Sequence, residues 1–285
     1  MRFGIDSERS ASEPRQWHRT RSPIFPGTLP LQFIACEASE PYREFVAMNW
    51  FGHSGDLGDV IYALPTIRAA GGGILYLYHK PNKTWHGMDV DRAASLRSLL
   101  ILQPYIRDVV FCPDGRPPGG SDHDLNGFRD HGRRGRNLAD MHLATHGLAP
   151  EHRDTAWLKV DQPAIGQPVV FARSVRCRNE RFPWRRIWEA YQGTAAFVGT
   201  AEEHEDFCRL VGLVPLVQTE NLLAVARVIA GSRLFIGNQS CPAAIAEGLK
   251  KPIILEVFPA LPNCCFKRPE RIEAWDGTIR LPYVS

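Results

Sequence analysis

From about residue 45 onward, apolar and polar positions fall into short blocks that switch between two periods. The apolar run 45–50 reads as a strand, because a short continuous apolar stretch closed by turn residues fits a strand covered on both faces. It leads into FGHSGDLGDVIYALPTIRAA at 51–70, where Gly52, Gly55 and Gly58 punctuate a turn and Ser54, Asp56 and Asp59 lie between them. Apolar residues then recur at helical spacing from Val60 to Ala70, so the pattern predicts strand, loop and a helix opening near Asp59. A glycine turn at 71–73, a strand over 74–79, a helix over 91–102 and a strand over 108–112 follow. The polar, glycine-rich stretch 113–137 breaks the alternation and reads as a loop, before a helix over 137–148 and a segment over 157–160 that reads as a strand or as the entrance to the second half.

The second half repeats the pattern. Strands are predicted over 168–172, 195–198, 234–236 and 253–257, with helices from Pro183 or Trp184 to Tyr191, from about residue 200 to Leu210, over 222–230 and from Pro242 onward. Alternating strands and helices indicate an α/β protein, parallel sheets with helices on their faces. The first 44 residues are different, dominated by Ser, Pro, Arg and Glu with one apolar run at 29–35. They are expected to form a poorly ordered extension followed by one short added strand.

Length and composition narrow the reading. At 285 residues there is room for two domains of ordinary size, here placed at 45–160 and 161–285. The 44% hydrophobic and 23% charged fractions are those of a soluble globular protein. A net charge of +3 gives no global footprint for nucleic acid, so an anion site must be local. The seven cysteines form no CxxC pair and are read as reduced thiols. No apolar run reaches the roughly 18 residues of a membrane span, and no signal-peptide core is seen; a cytoplasmic protein is expected.

Candidate chemistry concentrates in the turns. The loop Ser54, Gly55, Asp56, Gly58 sits where open α/β sheets bind ligands, at the carboxyl end of a strand. Its glycines admit close approach and the helix start offers unpaired amides. Asp59 reads either as a helix N-cap or as a catalytic carboxylate, and the local pattern leaves both open. His123 and Asp124 lack third and fourth ligands and are read as surface loop rather than metal site. Arg129, Arg133, Arg134 and Arg136 fit a solvated basic face better than an acceptor contact. Arg173, Ser174, Arg176, Arg178 and Arg181 follow a strand and precede a helix, as in a pyrophosphate site, although an exposed arginine loop gives the same pattern. Beyond Thr200, Glu202 is placed to accept from a ribose or to favour its own helix start. At Asn238-Gln239-Ser240-Cys241, a proline opening the next helix marks a start whose amides and dipole suit a phosphate.

The run LLAVARVIAGSRLFIGNQSCPAAIAEGLKKP resembles the carboxyl-terminal motif of the heptosyltransferase-like glycosyltransferases of the GT-B fold, family 9, usually LAxLIAGAxLFIGNDSGPxHLAAALGxP. DLGDVIYALP at 56–65 resembles the same family's amino-terminal xLGDVIxxLPxxRAL. The resemblance implies two Rossmann-like domains with parallel sheets facing an interdomain cleft. It further implies inverting transfer from a nucleotide-sugar co-substrate to a hydroxyl of a glycan, lipid-linked or other acceptor, with no cofactor. Asp59 would be the general base. The donor would be held by Asn238, Gln239, Ser240 and Cys241, and by Arg173, Ser174, Arg176 and Arg181, with Thr200 and Glu202 beside them. No DxD motif stands at a strand end, so metal independence is expected. Gln239 replaces the family's Asp, Cys241 its second Gly and Ala244 its His. Two other readings stay open: an epimerase or hydrolase of the same fold, which needs a second acid or base, and a non-catalytic nucleotide-sugar or glycan-binding protein.

Overall fold

The computed structural model describes residues 48–79, 87–113, 115, 120–130, 137–164 and 166–284. The expectations for the first 44 residues and for Arg133, Arg134 and Arg136 lie outside those residues. Four parallel strands build a first sheet: β1 (Asn49–His53), β2 (Gly73–Tyr78), β3 (Ile106–Cys112) and β4 (His123–Asp124), in the order β3-β2-β1-β4. Five more, β5 (Val169–Ala172), β6 (Ala195–Phe197), β7 (Leu234–Asn238), β8 (Ile253–Glu256) and β9 (Arg271–Ala274), build a second in the order β6-β5-β7-β8-β9.

Four elements differ from the sequence pattern, one of them β9, which the pattern does not foresee. Among the described residues the first strand covers Asn49–His53, running past Trp50 so that Phe51 and His53 are buried while Gly52 opposes Tyr76 of β2, and residues 45–47 of the expected strand lie outside the described residues. The polar stretch after residue 113 is not all loop: His123 and Asp124 pair with Phe51 and Gly52, and a 3-10 turn spans Leu125–Arg129. Residues 157–160 form no strand; the amides of Trp157 and Leu158 instead donate to Gly248 O, at 3.0 and 3.1 Å, at the carboxyl end of a helix.

The helices are α1 (Leu57–Ala69), α2 (Val90–Leu100), α3 (Leu138–Thr145), α4 (Trp184–Tyr191), α5 (Ala201–Val211), α6 (Leu222–Gly231) and α7 (Cys241–Gly248). Every residue of α1 from Val60 to Ile67 is buried, since α3 packs on it from the first half and α7 from the second. Ala243, Ala244 and Ala246 make α7 thin enough for that approach. One apolar cluster accordingly runs from Phe51 and Leu75 through Ile61 and Leu64 to Ile245 and Leu255, joining the two sheets.

The chain passes between the sheets against α6, where Ala164 N donates to Arg227 O at 2.9 Å. A Cβ on Gly231 would stand 1.8 Å from Ala164 O, a main-chain atom with no room to yield. Gly231→Ala is therefore expected to cost about 1–3 kcal/mol as an overpacking change, measurable as a lower denaturation midpoint.

The strand orders fix where a ligand can sit. In the first sheet the chain leaves β1 toward β2 and β3, then returns to β4 on the other side of β1. In the second it leaves β5 toward β6 and returns to β7 on the opposite side. Connections that diverge in this way open a crevice at the carboxyl ends of the two strands. The two crevices belong to β1/β4 and β5/β7.

Candidate functional site

The first crevice is built by the turn after β1. Ser54 donates to Asn126 Oδ1 from its amide at 3.0 Å and from its hydroxyl at 2.8 Å, which ties the turn to the 3-10 segment after β4. Gly55 N donates to His53 Nδ1 at 2.8 Å. Only glycine fits here, because a Cβ would lie 2.5 Å from His53 Cε1 and 2.9 Å from Arg129 Nη2.

Asp59 is not the cap of α1. The N-cap position belongs to Asp56, whose side chain makes no capping bond and pairs instead with Arg176 Nη1 at 3.1 Å. Asp59 stands in the first turn with its side chain 17% exposed, and Arg129 Nη2 is 3.6 Å from its Oδ2. Burial raises its pKa to about 6; Arg129 opposes that rise and Asp56 adds to it. A carboxylate so placed is still ionised at neutral pH yet is a stronger base than an exposed one.

Across from it, β5 and β7 present the second crevice. Asn238, fully buried, staples the turn after β5: its Nδ2 donates to Ser174 O at 3.1 Å and Arg176 O at 2.6 Å, and its Oδ1 accepts from Ser174 N at 2.9 Å. Gln239 holds a different loop, donating to Leu261 O at 2.7 Å and accepting from Phe258 N at 2.7 Å. The Ser240 hydroxyl donates backwards to Asn238 O at 3.1 Å and leaves α7 without a side-chain cap. Burial pushes the Cys241 thiol up to about 12, so it carries no charge there.

Arg173 is turned inward. Its Nε and Nη2 engage buried Glu256 at 3.0 and 3.1 Å, so that edge of the guanidinium is closed to a phosphate. Arg181 is exposed, and its amide is anchored at 3.1 Å to Asn179, which in turn bonds Val257 O and Trp275 O beyond β8 and β9. Thr200 closes a capping box with Glu203 at the start of α5, and Glu202 projects into solvent from its first turn. Of the described arginines singled out in the sequence, Arg176 is the one that bridges the two crevices.

The two halves meet at helix starts. A Cβ on Gly58 would be 3.7 Å from Cys241 Cα and 4.0 Å from Ala244 Cβ, so the amino ends of α1 and α7 abut. Electrostatically they are unlike. The first turns of α1 and α5 carry their own acids, Asp59 in one and Glu202 and Glu203 in the other, while α7 has none. The positive end of α7 carries no acid of its own, and the negative charges that act on its first residue, Cys241, come from Glu203 and Asp56 on neighbouring elements.

Other residues foreseen as chemistry have structural work. His123 stacks on Phe51 with ring centroids 4.7 Å apart, and Asp124 accepts from Asn126. No group of three or more potential metal-ligating side chains occurs among the described residues. A cavity of about 420 Å³ lined by Met48, Trp50 and Asp122 lies at the amino end of β1, the opposite end of the strand from Asp59. Among the described residues no helix is long and apolar enough to cross a membrane.

No protein-family model and no curated protein matches the chain. Solved structures do. The iron-containing dodecameric glycosyltransferase TibC from enterotoxigenic E. coli H10407 matches over 80% of this chain and 62% of its own, with a TM-score of 0.51 and 15% identity. The fold is GT-B. A glycosyl transferase family 9 protein from Veillonella parvula DSM 2008 matches at TM-score 0.48 and 13% identity, over 76% of this chain and 84% of its own. The E. coli heptosyltransferase WaaC matches at 0.43 and 12%, over 72% and 87%. The Arg176–Asp56 pair and the approach of Gly58 to Cys241 bring the β1/β4 and β5/β7 crevices alongside each other, and the space between them is the candidate groove.

Two side chains of that groove escaped the sequence pattern. Arg129 belongs to a basic run and was expected on a solvated face; it lies instead 4.6 Å over the Phe128 ring and beside Asp59. Asn126 had no motif at all. The one available signal was Phe128 directly before Arg129, an apolar residue inside an otherwise polar stretch that needed burial.

Proposed function

We propose that this protein is an inverting glycosyltransferase that moves a sugar from a nucleotide-sugar donor to an acceptor hydroxyl. The observation that carries the proposal is the pairing of a helix start at α7 that has no acid in its own first turn with a half-buried Asp59 of raised pKa on the abutting helix α1. A donor diphosphate would lie on the α7 amides, where a helix start favours anions. Arg176, its side chain 54% exposed, would leave Asp56 for the diphosphate as negative charge grows on the leaving group. Asp59, ionised above about pH 6, would take the acceptor's proton from the opposite face of the sugar. Attack from that face inverts the anomeric carbon, and amides plus guanidinium carry the leaving charge with no divalent ion required. In this reading residues 45–160 form the acceptor side and 161–285 the donor side.

TibC has been determined in complex with ADP-D-β-D-heptose, which makes ADP-sugars the first donors to try. A ligand at 100 times its dissociation constant stabilises by about 2.7 kcal/mol, so a thermal-shift panel of nucleotide sugars and nucleoside diphosphates tests the reading directly. Ser240→Asp gives it a sharper edge. An N-cap acid on α7 is expected to leave stability unchanged or raise it by about 0.3–1 kcal/mol. It should weaken nucleotide binding at least tenfold, since it places a negative charge where the diphosphate lies. Equal affinity in both proteins contradicts a phosphate at α7.

One observation favours a second reading. The side chain of Gln239 is fully engaged with Leu261, Asn263 and Phe258, and Ala244 is buried in the α1/α7 contact, so neither offers a group to a reacting sugar. A nucleotide-sugar-binding protein without transfer would show the same thermal shifts and no turnover on any acceptor.

A further inference from the structure

Arg129 takes no part in the steps above, yet among the described residues it is the cation nearest the Asp59 carboxylate. It ends the 3-10 turn Leu125–Arg129, with its guanidinium 4.6 Å over Phe128, Nη1 donating to Asn126 Oδ1 at 2.9 Å and Nη2 3.6 Å from Asp59 Oδ2. Asn126 is fixed in turn: Nδ2 donates to Tyr78 Oη and to Asp124 Oδ1, both at 2.7 Å, and its amide donates to Asp124 Oδ1 at 2.9 Å. The same Oδ1 that holds Arg129 accepts from the Ser54 amide and hydroxyl. One side-chain amide therefore sets both the turn that leads to Asp59 and the guanidinium that faces it.

We propose that Arg129, clamped by Asn126 and Phe128, is a positioning residue that keeps the Asp59 carboxylate ionised and aimed into the groove. The aim toward an acceptor rests on the glycosyl-transfer reading; the ionisation does not.

A carboxylate withdrawn from water takes up a proton unless a cation stands beside it. Among the described residues, the groups that face Asp59 come from the 3-10 turn, β1, α3 and α7 and from the turns before α1 and after β5. Arg129, from the 3-10 turn, favours the charge, while Asp56, on its own turn, disfavours it through its carboxylate and favours it through a main-chain hydrogen bond. Arg176, from the turn after β5, contributes least and is already paired with Asp56 at 3.1 Å. On α3, His142 lies against the Asp59 main chain and is neutral, its pKa lowered to about 3 by burial and by Arg129. His53 at the end of β1 is likewise held neutral, well below its usual value, by burial first and then by His142 and Arg129. On α7 the Cys241 thiol is uncharged. Against burial, which favours the protonated form most strongly, Arg129 is the leading group that keeps Asp59 ionised. Its place over the buried Phe128 ring, with both side chains of the pair largely covered, partly shields the pair from water and salt.

The test is a carboxylate ¹³C NMR titration of Asp59 in the full-length wild type, Arg129→Gln, Arg129→Lys and Asn126→Ala, with circular dichroism melting to report folding. Arg129→Gln is expected to raise the Asp59 midpoint by about 1–3 pH units, the effect of removing an adjacent opposite charge. Arg129→Lys should recover most of that shift, and Asn126→Ala, which frees the guanidinium without removing it, should give a smaller rise. A folded Arg129→Gln whose Asp59 titrates as in the wild type overturns the proposal. If that variant does not fold, Asn126→Ala decides in its place, and an unmoved midpoint there overturns it too. The titration needs no donor or acceptor, so an absence of turnover would count against the transferase reading and leave this result standing on its own. Where turnover is found, the acid limb of the kcat/KM profile should move with the NMR midpoint.

Discussion

Asp59→Asn is expected to lower sugar transfer by about 10²–10⁴-fold, the usual worth of a positioned general base, while nucleotide affinity stays within a small factor of the wild type. The separation arises because the base and the diphosphate site stand on different helices, α1 and α7. Turnover and binding measured on the same preparation check it, and a variant with unchanged turnover removes Asp59 from the chemistry. The same substitution carries a stability signature. The folded-state pKa of Asp59 is about 6 against an ordinary 3.8, so the native state holds the proton more tightly than the unfolded chain. Stability contributed by this group is full below about pH 4 and declines as pH rises toward and through 6. Two pH units of raised affinity amount to on the order of 2–3 kcal/mol. Asp59→Asn escapes that decline, so relative to its offset at pH 4 it should gain on the wild type between pH 4 and 6 and hold the gain at pH 8. A group retained at a cost in stability and a gain in rate is what a catalytic carboxylate looks like.

Glu256→Ala is expected to be the most damaging single change for the fold. Glu256 is fully buried and accepts from Arg173 at 3.0 and 3.1 Å, from the Asn179 amide at 2.6 Å and from Trp184 Nε1 at 2.8 Å. Removing it leaves a guanidinium that is 5% exposed without its counter-charge. Breaking a buried pair from one side costs about 3–5 kcal/mol, which at about 2–4 °C per kcal/mol for a chain of this size is on the order of 10 °C in Tm. Because Arg173 and Asn179 bracket the turn that carries Ser174 and Arg176, nucleotide affinity should fall as well. Replacing both partners with apolar residues, Arg173→Met with Glu256→Leu, should restore much of the Tm, since two uncharged groups need no partner. A single variant that melts with the wild type contradicts this account of the turn.

The glycine turn and α1 were legible in the sequence because glycine and helical period both act locally. The packing of α7 on α1 was not, since alanines at 243, 244 and 246 read equally well as a surface helix or a tight contact. β4 escaped notice because two paired residues, His123 and Asp124, give no period at all. β9 escaped because Arg271 at its start is buried by charge rather than by apolarity: its guanidinium meets Glu247 at 2.7 Å, where Lys250 and Arg268 also converge. Arginine-rich turns mislead for a related reason. Arg173, Arg176 and Arg181 share one short segment, yet one guanidinium faces buried Glu256, one meets Asp56 and one is exposed. Only the position of each relative to the sheet edge separates those roles.

The most direct measurement is a crystal structure of the full chain soaked with ADP. The account predicts the diphosphate on the first amides of α7, Arg176 drawn away from Asp56 onto the phosphate, and the Asp59 carboxylate facing the same groove from the other side. A diphosphate seated anywhere else, whether in the hollow beside Trp50 or along the exposed arginines near Arg181, with α7 left bare, would contradict it.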